Sequence, residues 1–435
     1  MTSPTSSTDS QNENPSESTT PEAAAPPPAL VAVSPRRRRL KIAGLTGLGG
    51  VVVLAVAMKA YPPLVGTIVD AVRAVVGPEP IAWLEDKVYG AKDSYEQWKN
   101  RDAAPTSYWG NPSAPACSAE PGSSACGGTP SDSPPVIPAG SVAPPTDAAF
   151  PPKPFTAPHP KVATQGDGTW LTVADPRDPN GPASMVKTLV HPDPKRSYSL
   201  VAIIAIDLKR VEMHAVPGYG EPKSNALARE KRPGLIPSEH FGDLLAAFNG
   251  GFQVTHGHFG MMVDGVTLVK AQPKGCVVAK YKDGSMKVAE WKTLEPDAEQ
   301  LAFWRQTPPC LVEGGTLNPL ANESNRNWGA TVDGETIIRR SAFGLDATGT
   351  VAFYGMGDAL SSYTLAKAMQ LAGAVNVAQL DVNHIYPRFF LYDGATSGPP
   401  MITAPLAPVP MFKKDEYTVA SEFRDFFYLR RKKPS

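Results

Sequence analysis

Asp381 closes the apolar run AVNVAQLD, and Asn383 and His384 follow it on a polar stretch. A carboxylate at the carboxyl end of a strand stands where ligands bind in sheet-containing folds, and a histidine beside it can orient it or move a proton. The alternative is a turn in which Asp381 and Asn383 bond their own backbone. In RRSAFGLDATGTVAFYG, residues 339–355, strand alternation puts Arg340, Ala342 and Gly344 on one face. A guanidinium there looks out over two side chains too small to fill the space beside it. Such a gap suits phosphate or carboxylate oxygens, which arginine meets as a rigid fork. The plainer reading is a surface arginine paired with a neighbouring acid.

Two Gly-Gly pairs follow apolar stretches. In LLAAFNGGF, Asn249 precedes Gly250, Gly251 and Phe252, and glycines let backbone N–H groups turn toward a ligand with no Cβ in the way. An ordinary tight turn would use the same residues. In PCLVEGGTLNP, Glu313 stands beside the second pair, and Cys310 offers a staple for the loop. His256 and His258, together with Asp381 and His384, are chemically suitable metal ligands. No second clustered carboxylate accompanies them, so no metal or cofactor is expected, and a metal-dependent hydrolase built on His256 and His258 stays an alternative.

Taken in order, NGGF, PCLVEGG, RSAFG and AQLDVNH over about residues 195–395 resemble the phosphodiester glycosidase family. Its pattern has an NGGFF-like turn, a glycine-ended P-x-L stretch, an R-T-A-I-G strand and a helix-strand unit ending in N-L-D-G-G-G-S. The resemblance implies hydrolysis of a glycosyl phosphodiester in a site lined by Asn249, Gly250, Gly251, Arg340 and Asp381. Arg340 and the glycine amides would neutralise the phosphate. Asp381 would serve as base, nucleophile or stabiliser of the oxocarbenium-like centre, and His384 would orient it or protonate the departing phosphate. Here Val382, Asn383, His384 and Ile385 replace the family's Gly-Gly-Gly-Ser, adding Cβ atoms where the family's backbone approaches its ligand. That change motivates the other reading, a non-catalytic envelope protein that binds a polysaccharide on the same fold.

Positioning these residues falls to short β-like runs between turn signals. SLVAIIAIDL (199–208) reads as a strand, and MMVDGVTLV (261–269), VVAKYKDGSMKVAEW (277–291) and TVDGETII (331–338) each fold back around an Asp-Gly pair, a strong hairpin signal. SSYTLAKAMQLAG is the clearest helix, with Ser or Thr as N-cap and Gly373 as its stop. The expected class is α+β: a mixed, largely antiparallel sheet with a few packed helices over 161–430.

Ahead of that domain the composition changes. Residues 1–36 are Ser, Thr, Pro, Glu and Ala with almost no large apolar side chain, the composition of a disordered tail. A basic run ending at Lys41 precedes about 17 uncharged residues up to Lys59, close to the shortest membrane span. Over 37–60 this reads as a basic flank and transmembrane anchor with the N-terminus cytoplasmic, or as a cleaved signal through the Ala-Val-Ala at 55–57. Residues 61–101 read as a membrane-proximal helical segment and 102–160 as a Pro-rich linker. The main domain is then periplasmic or extracellular, where Cys276 and Cys310 would pair, as would Cys117 and Cys126. Four free thiols would mean that the chain is not exported. Lys plus Arg and Asp plus Glu balance at 42 each, so no basic face marks a nucleic-acid partner. The expected partners are a glycan or sugar phosphodiester and, through one helix, a membrane.

Overall fold

The computed structural model describes residues 90–109, 150–323, 325–329, 336–395 and 397–432. The expected tail and anchor, most of the linker with Cys117 and Cys126, and the Asp-Gly turn of 331–338 lie outside them. Among the described residues no helix is long and apolar enough to cross a membrane.

Three antiparallel sheets carry the fold, with strands β1 to β18 numbered along the chain. The largest runs β1 (Leu171–Thr172), β2 (Met185–Val190), β3 (Leu200–Asp207), β14 (Val351–Leu360), β13 (Ile338–Leu345), β15 (Asn376–Val382), β11 (Val312–Glu313), β12 (Thr316–Leu317). A second runs β7 (Val266–Val269), β6 (Met261–Val263), β10 (Leu301–Thr307), β8 (Cys276–Tyr281), β9 (Met286–Glu290). The third runs β17 (Ile402–Pro405), β16 (Phe389–Tyr392), β5 (Leu244–Asn249), β18 (Phe426–Arg431), β4 (Val211–Val216). With few helices beside them, these sheets make the α+β class expected from the sequence.

Local chemistry explains the turns. Asp264 and Gly265 both take positive φ between β6 and β7, the backbone a two-residue hairpin needs. The Asp346 side chain accepts from the N–H groups of Thr350 and Val351 and closes the β13–β14 turn. Helix α1 (Ser362–Leu371) starts on a capping box between Ser361 and Thr364 and is followed by Gly373 at φ 109°. Its apolar face, with Leu365 and Met369, packs on the outer side of the large sheet.

Between the sheets, Phe248 of β5 stacks on Phe343 of β13 and Phe389 of β16 and meets Phe427 of β18. All four are fully buried. Truncating one such ring to alanine costs about 3–5 kcal/mol, so this cluster fixes how β5, β13 and β18 sit against one another. Cys276 and Cys310 form the expected disulfide, tying the start of β8 to the loop before β11.

Residues 90–99 are helical, and this segment is held to the domain. Asp93 pairs with Arg196, the Ala103 carbonyl accepts from Ser197, and Lys187 lies over the Trp109 ring. Phe155, from the stretch expected to be spacer, packs edge-on against Trp170.

Candidate active site

A bulge places Asp381. Arg340 of β13 pairs with Val382 and Ala342 pairs with Gln379, so Leu380 and Asp381 together oppose Ser341. One extra residue in a strand re-aims the side chain beside it. Ser341 Oγ holds the distortion by donating to the Asp381 carbonyl at 3.0 Å, and Asp381 N donates to the Gly250 carbonyl at 3.1 Å. The NGG turn and the aspartate are thus joined directly, 131 positions apart in the numbering.

The Asp381 carboxylate is buried. Oδ1 accepts from the Val382 N–H at 2.7 Å, and Oδ2 accepts from Arg424 Nη1. Burial pushes this carboxyl up to about 7, against the pull of Arg424 and of the Val382 N–H, with the neighbouring Asp425 adding to the rise. Arg424 lies 4.3 Å over the Tyr386 ring, and the Gln253 amide, turned so that its oxygen faces the guanidinium, accepts from Nη2 at 3.1 Å and from Nε at 3.2 Å.

Beneath them Arg305 of β10 grips Asp425, which also accepts from Gly251 N at 2.9 Å. Tyr386 donates its hydroxyl to the Asp425 carbonyl. A Cβ on Gly250 would stand 2.1 Å from Asp425 Oδ2, and one on Gly251 would stand 2.7 Å from Arg305 Cζ. The two glycines are therefore required by the close approach of a buried ion pair, a reason within the protein itself.

The remaining sequence candidates divide between this place and others. Asn249 is fully buried and spent on the fold: its amide donates to Ser341 Oγ and the Gly250 carbonyl, and its oxygen accepts from Tyr354 and Arg388 N. Arg340 is also fully buried. Its Nε donates to the Leu360 carbonyl, Nη1 to the Trp328 carbonyl and Gln379, and Nη2 to the Gly329 and Thr336 carbonyls. All five N–H groups of a guanidinium are committed, which leaves no fork for an anion. The open face inferred from Ala342 and Gly344 is covered because β13 is buried along both faces. Burial pulls the Arg340 guanidinium down to about 9, so it stays charged at neutral pH.

Phe252 packs with Ile338 and Val382 beside Asp381. Asn383 and His384 are exposed on the loop that follows. Gly344 pairs with Val377 and Glu313 lies next to Val312, which pairs with the same Val377; both belong to the opposite end of β15 from Asp381. His256 and His258 sit exposed on a turn and not on a strand, because positive φ at Gly257 and His258 breaks the extended backbone. Among the described residues no group of three or more His, Cys, Asp or Glu is arranged to hold a metal ion.

Sequence reasoning missed Arg305, Arg424 and Asp425. A signal existed in EFRDFFYL, where an Arg-Asp pair stands immediately before an unbroken apolar strand. A surface cavity lined by Asp175, Asp178, Arg210 and Arg431 lies elsewhere, and its arginines are paired, Arg431 with Asp175 and Arg210 with Asp207.

No family model and no curated protein matches the chain. Among solved structures, it is similar to the zebrafish N-acetylglucosamine-1-phosphodiester alpha-N-acetylglucosaminidase catalytic domain auto-inhibited by its pro-peptide, at 16% identity and a TM-score of 0.38, over 61% of this chain and 89% of that one. It is also similar to a hypothetical protein from Synechocystis, at 11% identity and a TM-score of 0.31, over 57% of this chain and 62% of that one. Likenesses of this size carry no argument about activity, which rests on the chain's own residues.

Proposed function

We propose that the chain hydrolyses a glycosyl phosphodiester on an envelope or extracellular glycan, with Asp381 as the group that handles the proton and Arg424 as the cation facing the phosphate. The observation that carries this reading is the buried Asp381 carboxyl on the bulged end of β15, held by Arg424 and pushed by burial up to about 7. A group poised near the working pH is what proton transfer requires, and the ordered motifs of the sequence point to the same substrate class. Protonated Asp381 donates to the bridging oxygen as the C1–O bond breaks. Water adds to C1 and gives its proton to solvent, so the products are a free sugar and a phosphate monoester. Arg340 supports the strand and takes no part in binding the anion. The export, the membrane anchor at 37–60 and the glycan partner belong to this proposal.

Release of free sugar from a panel of glycosyl phosphodiesters tests it. The wild-type protein should turn over at least one member, and Asp381→Asn should lower the rate by roughly 100-fold or more while ligand affinity at or below about pH 7 stays near wild type. A second reading, non-catalytic polysaccharide binding, is favoured by two observations: both Asp381 oxygens are occupied, and the side chains of Val382 at the end of β15 and of Asn383, His384 and Ile385 on the loop after it stand beside the carboxylate's strand end. Glycan binding with no hydrolysis across the panel would select that reading.

A further inference from the structure

Three arginines surround the Asp381 region, and they differ in access. Arg305 and Arg340 are fully buried with their donors committed, whereas the Arg424 side chain keeps 13% of its surface. An anion arriving from solvent meets Arg424 first. Its guanidinium is held by three groups of different kinds: the face of Tyr386, the Gln253 amide oxygen and the Asp381 carboxylate. The first two can keep it in place while the third is exchanged.

A carboxylate that gives up its cation while remaining buried, with a second anion now beside it, is strongly disfavoured in its charged form. We propose that Arg424 is an exchangeable clamp: a phosphodiester anion takes the guanidinium from Asp381, and Asp381 takes up one proton from solvent as the anion binds. The inference rests on the glycosyl phosphodiester reading and deepens it, because the substrate's own charge then loads the acid that protonates the departing oxygen.

The groups facing Asp381 leave it as the proton acceptor. From the segment ahead of β18 come Arg424 and Asp425, and from β10 comes Arg305, already neutralised by Asp425. The Val382 N–H is fixed on Oδ1. On the turn after β5, the His256 imidazole is pulled below the usual range by its partial enclosure and by the nearby charge of Arg424, with Glu221 opposing. Burial raises Asp381 even with Arg424 in place, and Arg424 pulls it down, so losing that partner carries it higher.

Dimethyl phosphate is a suitable probe, since this diester anion neither gives nor takes a proton near neutral pH. Calorimetry in two buffers of different ionisation heat yields both Kd and the protons exchanged. For the wild-type chain, uptake should approach about one proton per anion near pH 8, with Kd weakening up to about tenfold per pH unit above 7. Arg424→Gln should weaken binding by about tenfold or more. Asp381→Asn should bind with a Kd that no longer follows pH, and His256→Gln should keep the proton uptake.

Wild-type binding without proton uptake overturns the clamp, as does uptake lost in His256→Gln, or no binding at roughly 100 mM anion. These readouts need no turnover. Proton-coupled binding with no hydrolysis of any sugar phosphodiester would leave the clamp standing and remove the hydrolase reading, whereas hydrolysis without uptake would remove the clamp alone.

Discussion

Arg305 and Asp425 form a two-pronged ion pair, Nε to Oδ2 at 2.8 Å and Nη2 to Oδ1 at 3.0 Å, with side-chain exposures of 0% and 2%. Burial works against the Arg305 charge, and Asp425 nevertheless holds its guanidinium above the ordinary value. The pair is the floor on which Gly250, Gly251 and Asp381 rest. Removing Asp425 leaves a buried cation without its anion, so Asp425→Asn should cost about 3–5 kcal/mol. Replacing both partners, as Arg305→Met with Asp425→Leu, should cost less than the sum of the single changes. Denaturant unfolding of Asp425→Asn, of the singles Arg305→Met and Asp425→Leu, and of their double variant measures this.

Gly251→Ala sets a methyl 2.7 Å from Arg305 Cζ. Overpacking against a buried ion pair should destabilise by about 1–3 kcal/mol, with Gly250→Ala at least as costly because its Cβ meets Asp425 at 2.1 Å. Thermal melts decide it. Wild-type stability in both would mean that the turn gives way easily.

Asp381 makes stability depend on pH in a direction unusual for a carboxylate. Its folded value of about 7 stands above the ordinary 3.8, so the folded state binds the proton more tightly. The associated stability is complete below about pH 4 and is lost as pH rises through 7, by an amount of order 4 kcal/mol. The stability difference between Asp381→Asn and wild type should therefore move in the variant's favour between pH 4 and 7. Urea melts at four pH values give the slope, and parallel curves would contradict the assignment.

His214 works the other way. It is stacked on Tyr428, and burial pulls its imidazole from 6.5 down to about 4, with Lys280 adding to the effect and Glu212 opposing it. The unfolded chain takes the proton first, so this contribution is lost as pH falls from 6.5 toward 4. His214→Phe keeps the stacking and removes the titration. It should leave the variant less sensitive to acid than wild type in that window, and NMR should find His214 neutral at pH 5.

The disulfide closes a loop of 34 residues. On chain entropy alone its removal should cost about 4 kcal/mol. Cys276→Ser with Cys310→Ser should lower the denaturant midpoint accordingly, and peptide mapping without reductant should recover the two cysteines joined.

Much of the architecture was legible in the chain because its causes are local. Asp264-Gly265 forms a hairpin wherever it stands between two strands, Ser361 and Thr364 cap a helix from within one turn, and AVNVAQLD reads as a strand ending on an acid. Alternation along a single strand sufficed to name Arg340, but not to place its guanidinium. That side chain is enclosed by carbonyls from Trp328, Gly329, Thr336 and Leu360, which no one-strand pattern contains. The bulge at Asp381 is invisible to a period of two, since it exists only relative to β13. Arg424 reaches Asp381 across 43 positions and Asp425 reaches Arg305 across 120. By itself the sequence determined several of the strands and hairpin turns, the clearest helix, and which strand carries the acid. Which cation meets that acid was decided by the packing of three sheets, because the strength of a buried charge pair depends on distance and burial in space, and neither is written in the spacing along the chain.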